Sequence, residues 1–254
     1  MKVRVLGCRG TRAAGHQASS FLIGESLLVD AGTVCAALDQ DAQLAVSDVL
    51  LTHAHFDHLA DLPFLVENGL GRRPRPLRIW APKEVLQLVG EHLFNDAIWP
   101  DFSRRQGDYP AQVEFCPLPP AQVCCVAGVE VCWVRTNHPV FAAGYCLQQD
   151  GAAVLISGDT GPTEAFWRLA RSLPQLQGVF VETSFPDRLA SVAASSGHLT
   201  AATLRAELVK LDRPQVPVKV FHLKPRFLAE IVLELDALED PRLQILHGGE
   251  EFLF

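Results

Sequence analysis

No stretch of this chain is apolar for long enough to cross a bilayer. Its start, MKVRVLGCRG, also lacks the run of about 7–15 apolar residues that marks a secretory signal. Cysteines are present at seven positions (8, 35, 116, 124, 125, 132 and 146), yet no two are spaced CxxC. An odd number without a secretory signal argues against a disulfide framework and for reduced thiols, most of them small buried apolar side chains. Low-complexity segments and short repeats are missing as well. Basic residues are outnumbered, 22 Lys and Arg against 29 Asp and Glu, which leaves a net charge of −7. Tight binding to a long polyanion, which needs a broad basic face, is therefore not expected. These absences exclude a secreted disulfide scaffold, a membrane-bound protein and a protein built around nucleic-acid tracts. They predict a globular protein of the cytoplasm.

What is present suits a folded α/β chain. The hydrophobic fraction is 48 % and the charged fraction 20 %, enough for a sizeable core. Lys2 to Gly7 alternates as a strand, Ser20–Ile23 and Leu27–Asp30 suggest a hairpin, and Asp48–Thr52 is a short apolar strand. A helix is expected from there to about Val66, then a solvated loop carrying Arg72-Arg73-Pro74-Arg75. Ile79 and Trp80 lie in a strand, and Pro82 opens a helix to about Phe94. The second half predicts strands at Val129–Arg135, Gly144–Leu147, Ala153–Ser157, Gly178–Glu182 and Val218–Phe221. Helices are expected over Thr163–Leu173, from a Thr200 cap to Leu211, and over about Phe227–Leu238. Strands first and then alternating strands and helices, in both halves, suit two packed sheets with helices outside. The whole of 1–254 reads as one domain, with an irregular, pocket-forming excursion at about 94–120.

The strongest chemical signal is Thr52-His53-Ala54-His55-Phe56-Asp57-His58, where a strand gives way to a helix. His53 and His55 are two apart, so on extended backbone both imidazoles face one side. Asp57 and His58 turn over the strand end, and all four side chains can point into one small volume. Imidazole with carboxylate suits Zn²⁺, or Mn²⁺ and Fe, better than Mg²⁺ or Ca²⁺. His138, Asp159 and His222 each follow a predicted strand, at the end where open α/β sheets place their ligands. One such residue is ordinarily structural; three in register with HxHxDH point to two divalent metal ions.

The order HAHFDH, NH, SGDT, FHLKP resembles the metallo-β-lactamase superfamily over nearly the whole chain. That resemblance implies the superfamily's αβ/βα sandwich, with one metal held by His53, His55 and His138. It implies a second metal held by Asp57, His58 and His222, with Asp159 bridging. Two metals about 3.5–4 Å apart would lower the pKa of a water between them and make it the nucleophile. Val181-Glu182-Thr183-Ser184-Phe185 and Ser196-Gly197-His198-Leu199-Thr200 resemble the Glu and His motifs of the phosphodiesterase branch, which includes tRNase Z. The run ETSFPD…SGHLTAATLRAEL…HLKP is similar to class II cyclic-nucleotide phosphodiesterases in particular.

The chemistry of the bond fits that pair. A departing alkoxide has a weak conjugate acid, so a positioned proton donor contributes roughly 10²–10⁴-fold. His198 precedes a helix N-terminus, whose dipole disfavours imidazolium, and a carboxylate at Glu182 would offset this and fix the tautomer. The expected reaction opens a small phosphodiester, cAMP or cGMP, to the 5′-nucleotide, with Asp57 among the metal-side catalytic groups. Trp99 and Phe102 are the expected base-binding residues, and Lys224 the expected phosphate contact. Phe56 and Asp61 depart from the phosphodiesterase pattern, which carries Leu and a small residue there, and this loosens the substrate assignment. His16 has no spacing argument, and His92 and His247 read as structural. A tRNase Z-like endonuclease would need a basic arm that the charge does not supply. A thioester or lactone hydrolase would leave Glu182 and His198 without a task, and a non-catalytic metal module would not need the full ligand set. Pairing as a homodimer is left open.

Overall fold

Runs of apolar residues bury most strands on one or both faces, and 14 strands build two sheets. The computed structural model describes residues 1–254. The first sheet takes Lys2–Gly7 (β1), Ser20–Ile23 (β2), Leu27–Val29 (β3), Asp48–Leu50 (β4), Leu77–Ala81 (β5) and Val113–Pro117 (β6). The second takes Cys124–Val126 (β7), Val129–Arg135 (β8), Ala143–Gln149 (β9), Ala152–Ile156 (β10), Leu176–Glu182 (β11), Val218–Phe221 (β12) and Leu243–Ile245 (β13). The last strand, Glu251–Leu253 (β14), returns to the first sheet, giving the orders β14-β1-β2-β3-β4-β5-β6 and β13-β12-β11-β10-β9-β8-β7. Eight α-helices complete the chain: Gln40–Ala45 (α1), Phe56–Leu59 (α2), Leu62–Asn68 (α3), Lys83–His92 (α4), Ala165–Ser172 (α5), Ala190–Ser196 (α6), Ala201–Val209 (α7) and Leu228–Asp236 (α8).

Period 2 sorts the core into three layers. Val3, Val5, Phe21 and Ile23 meet Tyr145, Leu147, Val154, Ile156, Phe180 and Phe221 between the sheets. Their sequence neighbours face outward, where Leu22, Leu28, Val49 and Ile79 are covered by Leu62, Leu65, Val85 and Val89 of α3 and α4. On the other side Leu155, Val179, Val181 and Val220 lie under Trp167, Leu204, Leu208 and Ile231 of α5, α7 and α8. The expected αβ/βα sandwich is the fold found.

Strand direction fixes where the site forms. β3 to β6 run parallel, as do β10 to β13. β9 is antiparallel to both β8 and β10, so β8 also points the same way as β10. The C-terminal ends of β3, β4, β8, β10, β11 and β12 therefore supply the loops that meet at the site.

Several sequence expectations change in detail. The helix expected up to Val66 is two, α2 and α3, with a break at Ala60 and Asp61. The irregular excursion contains β6, which pairs parallel with β5 and closes the sheet edge. Short β7, β13 and β14, and helices α1 and α6, form where the sequence pattern alone predicts no element. The helix expected from Thr163 begins at Ala165, because the Thr163 amide is held by Glu207 Oε2 at 2.9 Å. Arg73 is not a solvated loop residue. Its guanidinium is half-buried and donates to the carbonyls of Gln43 (2.7 Å), Leu44, Val46 and Leu65, tying α1 to α3. Burial pushes its pKa down to about 10.

Candidate metal centre

His53, His55, Asp57 and His58 leave the end of β4 on extended backbone that coils into α2, as the HxHxDH spacing predicts. His138 follows β8, Asp159 follows β10 and His222 follows β12. The seven side chains come together as two groups. His53, His55, His138 and Asp159 offer ligand atoms within 4.8 Å of one another, and so do Asp57, His58 and His222. Asp159 lies between them, with Oδ2 3.5 Å from His53 Nε2 and Oδ1 3.3 and 3.1 Å from the Nε2 atoms of His58 and His222.

The donors fit metal ions better than they fit each other. His58 and His222 face through their Nε2 atoms at 3.1 Å, and His138 Nε2 faces His55 Nδ1 at the same distance. Nitrogens on a tetrahedral zinc ion sit about 3.3 Å apart, given Zn–N bonds of about 2.0–2.1 Å. His53 Nε2 and Asp159 Oδ1 are buried without a hydrogen-bond partner. Orphaned polar atoms in a buried cluster are costly unless something satisfies them, and a cation does so.

Surrounding groups fix the rings. His58 Nδ1–H donates to Asp30 Oδ2 at 2.7 Å, His138 Nδ1–H to the Gly197 carbonyl at 3.0 Å, and His222 Nδ1–H to Ser184 Oγ at 2.8 Å. His53 Nδ1 is 3.0 Å from Thr52 Oγ1, which in turn hydrogen-bonds Asp30. In four of the five rings Nδ1 is thus engaged and Nε2 is turned to the cluster, the role such outer partners have in metal sites. Asp30 serves both groups at once. Asp30 and His222 are held in the left-handed region, φ 58° and 69°, at a cost of order 1–3 kcal/mol each. Short backbone bonds hold them there, from the Asp30 amide to Leu50 (2.8 Å) and from the His222 amide to Cys8 (2.7 Å).

Charge and burial divide the cluster. Burial pushes the pKa values of His53, His55 and His138 down, keeping those rings neutral and ready to ligate. Burial also opposes a charged His58, but the carboxylates of Asp159 and Asp30 outweigh it and hold its pKa well above the ordinary value. Asp159 and Asp57 resist burial in the same way, their carboxyls held well below the usual range by the facing histidines.

Glu182 ends β11 and is fully buried, and His198 lies between the C-cap of α6 and Thr200, the N-cap of α7. His198 Nδ1–H donates to Glu182 Oε1 at 2.7 Å, so the expected pair is formed. The His198 ring centroid is 5.1 Å from that of His138 and 5.4 Å from that of His222, on which it stacks. Burial disfavours its charged form, yet Glu182 more than compensates and the pKa is raised. Ser184 Oγ donates to Glu182 Oε2 at 2.8 Å and sits 3.1 Å from His198 Nδ1, linking the pair to His222.

Gly197 is what brings His138 and His198 together. It has φ 66°, and a Cβ there would stand 2.7 Å from Pro139 Cδ and 3.0 Å from His138 Cα. The expected substrate residues fare unevenly. Lys224 Nζ donates to the Gly10 carbonyl at 2.8 Å, and its positive charge opposes the charged form of His198. Phe102 is instead a core residue, 6 % exposed, with its ring centroid 6.5 Å from that of Phe94. Trp99 is half-buried, packed edge-on against Phe64 at 5.2 Å and on the outer core of the first sheet. Sequence reasoning gave no role to Asp30, Thr52 or Ser184. Thr52 and Ser184 lie inside the quoted motifs and Asp30 only at the end of a predicted strand, and their tasks are visible only once the rings are placed.

Residues 26–242 match the family model described as "Beta-lactamase superfamily domain". The chain is 26 % identical over 235 residues to 3′,5′-cyclic-nucleotide phosphodiesterase 1 of Saccharomyces cerevisiae, an alignment covering 79 % of this chain and 60 % of that one. It is 27 % identical over 189 residues to a ribonuclease Z of Mycobacterium marinum, covering 65 % of each. The crystal structure of unliganded yeast PDE1 superposes with a TM-score of 0.83 at 18 % identity, over 99 % of both chains. A match over most of the chain, joined to this fold and this cluster of histidines and aspartates, leaves one conclusion: the chain belongs to the metallo-β-lactamase superfamily of metal-dependent hydrolases.

Proposed function

We propose that this protein is a dinuclear metallophosphodiesterase that hydrolyses a small phosphodiester, cAMP or cGMP, to the 5′-nucleotide. The observation that carries the reading is the buried Glu182–His198 pair, 2.7 Å apart, set against two metal-binding groups. Two divalent ions, zinc being the best match to this donor set, would supply Lewis acidity and a water of lowered pKa. His53, His55 and His138 would hold one, Asp57, His58 and His222 the other, and Asp159 would touch both.

The chain's own residues then have defined tasks. Glu182 keeps the proton on His198 Nδ1 and favours the imidazolium, whose second proton is available to the departing 3′-oxygen. An alkoxide needs that proton; a thiolate, being a far weaker base, does not. Lys224 adds a positive charge beside His198 that suits an anionic diester. The yeast cyclic-nucleotide phosphodiesterase among the relatives agrees with this substrate class. The ribonuclease Z match favours a second reading, an endonuclease acting on a tRNA precursor, with the same chemistry at phosphorus. The net charge of −7 weighs against it, and salt-dependent retention of a tRNA precursor in a gel shift would favour it.

His198→Ala tests the reading. The variant should keep both metal ions and lose roughly 10²–10⁴-fold in turnover on a diester with an alkoxide leaving group, but far less on a p-nitrophenyl ester. Equal losses on both substrates, or none on either, would remove the general acid and with it the preference for phosphodiesters.

A further inference from the structure

Beside the ligand turns lies a cleft of about 310 Å³ in which eight of the nine lining residues are hydrophobic. Ala54 sits between His53 and His55, Phe56 between His55 and Asp57, and Val140 two residues beyond His138. The opposite wall comes from Leu93 after α4 and from Ile98 of the excursion, with His92 the one polar lining group. Phe56 and Ile98 are 69 % and 65 % exposed. Two large apolar side chains left in water at the mouth of one apolar cleft, lined in part by residues flanking the ligand turns, are unusual unless something covers them.

We infer that this cleft is the base subsite: it takes the flat ring of the substrate's base while the phosphate is held at the metal centre. The inference rests on the phosphodiesterase reading. A cyclic nucleotide joins base to phosphorus through one fused sugar, so a base can reach only walls next to the ligands. The Phe56–Ile98 cleft is such a wall, whereas Phe102 is buried in the core and Trp99 is packed on Phe64. Its volume is at the lower end for small-molecule sites, room for a ring system and not for a second protein segment. His92 alone offers a polar edge, so recognition is by stacking and apolar contact, which every base provides. Sites that hydrogen-bond a substrate edge reject the wrong partner by about 10⁴–10⁵, and apolar pockets by roughly 10² at most. Discrimination between adenine and guanine is accordingly small, with kcat/KM for cAMP and cGMP within about ten-fold.

The test uses the zinc-loaded protein, Phe56→Ala and Ile98→Asp, both at exposed positions that place no demand on the core. Adenosine binding is measured by ligand-observed NMR, and KM and kcat are measured on cAMP and cGMP. Each variant should weaken adenosine binding and raise KM about ten-fold, the loss of one stacking face, with the effect falling on KM rather than kcat. Unchanged adenosine binding and KM in both variants would overturn the subsite. So would a wild-type protein that binds a detergent acyl chain at Phe56 and Ile98 but no nucleoside. Phe56-dependent adenosine binding without turnover of any cyclic nucleotide would instead sustain the subsite and overturn the diesterase reading.

Discussion

Glu182 and His198 show how little protein is needed to set a proton's position. One carboxylate oxygen holds Nδ1–H at 2.7 Å, the other accepts from Ser184, and burial makes both bonds count. Because burial is outweighed by Glu182, the His198 pKa lies above the ordinary histidine value, so its acid form persists to higher pH than that of an unpaired histidine. Turnover on an alkoxide leaving group should therefore fall as pH rises through that raised pKa. Glu182→Gln removes the charge and should move this alkaline limb to lower pH, a shift readable in the pH profile of kcat. Asp30 acts at one remove, through His58 and through Thr52 to His53. Asp30→Asn keeps the shape but loses the charge, and zinc affinity should drop roughly 10–100-fold, measured by competition with a chromophoric chelator.

At the scale of elements, glycines and caps aim these side chains. Gly197 ends α6 in the left-handed region and its carbonyl receives His138. Gly197→Ala should cost at least 1–2 kcal/mol, roughly the price of a left-handed alanine before any clash with Pro139. Urea unfolding would show the loss, and the same variant should bind its first metal ion more weakly. Elements that carry ligands were also the most legible in the sequence. The strands before His138, Asp159 and His222 and the Thr200 cap lie where the sequence pattern puts them, and the HxHxDH side chains converge as their spacing implies. Legibility failed where tertiary contacts decide. β6 looked irregular because Val-Glu-Phe-Cys-Pro has one well-buried side chain and finds its place only by pairing with β5. Phe102 passed for a pocket aromatic because nothing local separates a core ring from a site ring. Arg73 passed for a solvated residue because its partners are carbonyls from other segments.

Across the whole molecule, the centre clasps the two sheets together. His53, His55, Asp57 and His58 come from the first sheet, and His138, Asp159 and His222 from the second. Metal binding should thus stabilise the entire sandwich, by about 4 kcal/mol at a free concentration 1,000 times Kd. Chelation should lower the calorimetric Tm by several degrees, and zinc should restore it. The pH dependence has a definite sign. In the metal-free protein His58 has a raised pKa, so its pairing with Asp159 and Asp30 stabilises the fold at low pH and is lost as pH rises through that value. Metal competes for the same Nε2, so zinc affinity should fall steadily as pH drops below neutrality. Isothermal titration between pH 5.5 and about pH 8 checks both the release of a proton and the trend.

The most direct test of the central claim is product analysis for the zinc- or manganese-loaded protein on 3′,5′-cAMP and cGMP, with bis-p-nitrophenyl phosphate as control. The account predicts release of 5′-AMP and 5′-GMP, slowed roughly 10²–10⁴-fold by His198→Ala. Hydrolysis of the p-nitrophenyl ester with no turnover of either cyclic nucleotide would contradict it, leaving the metal centre in place without this substrate.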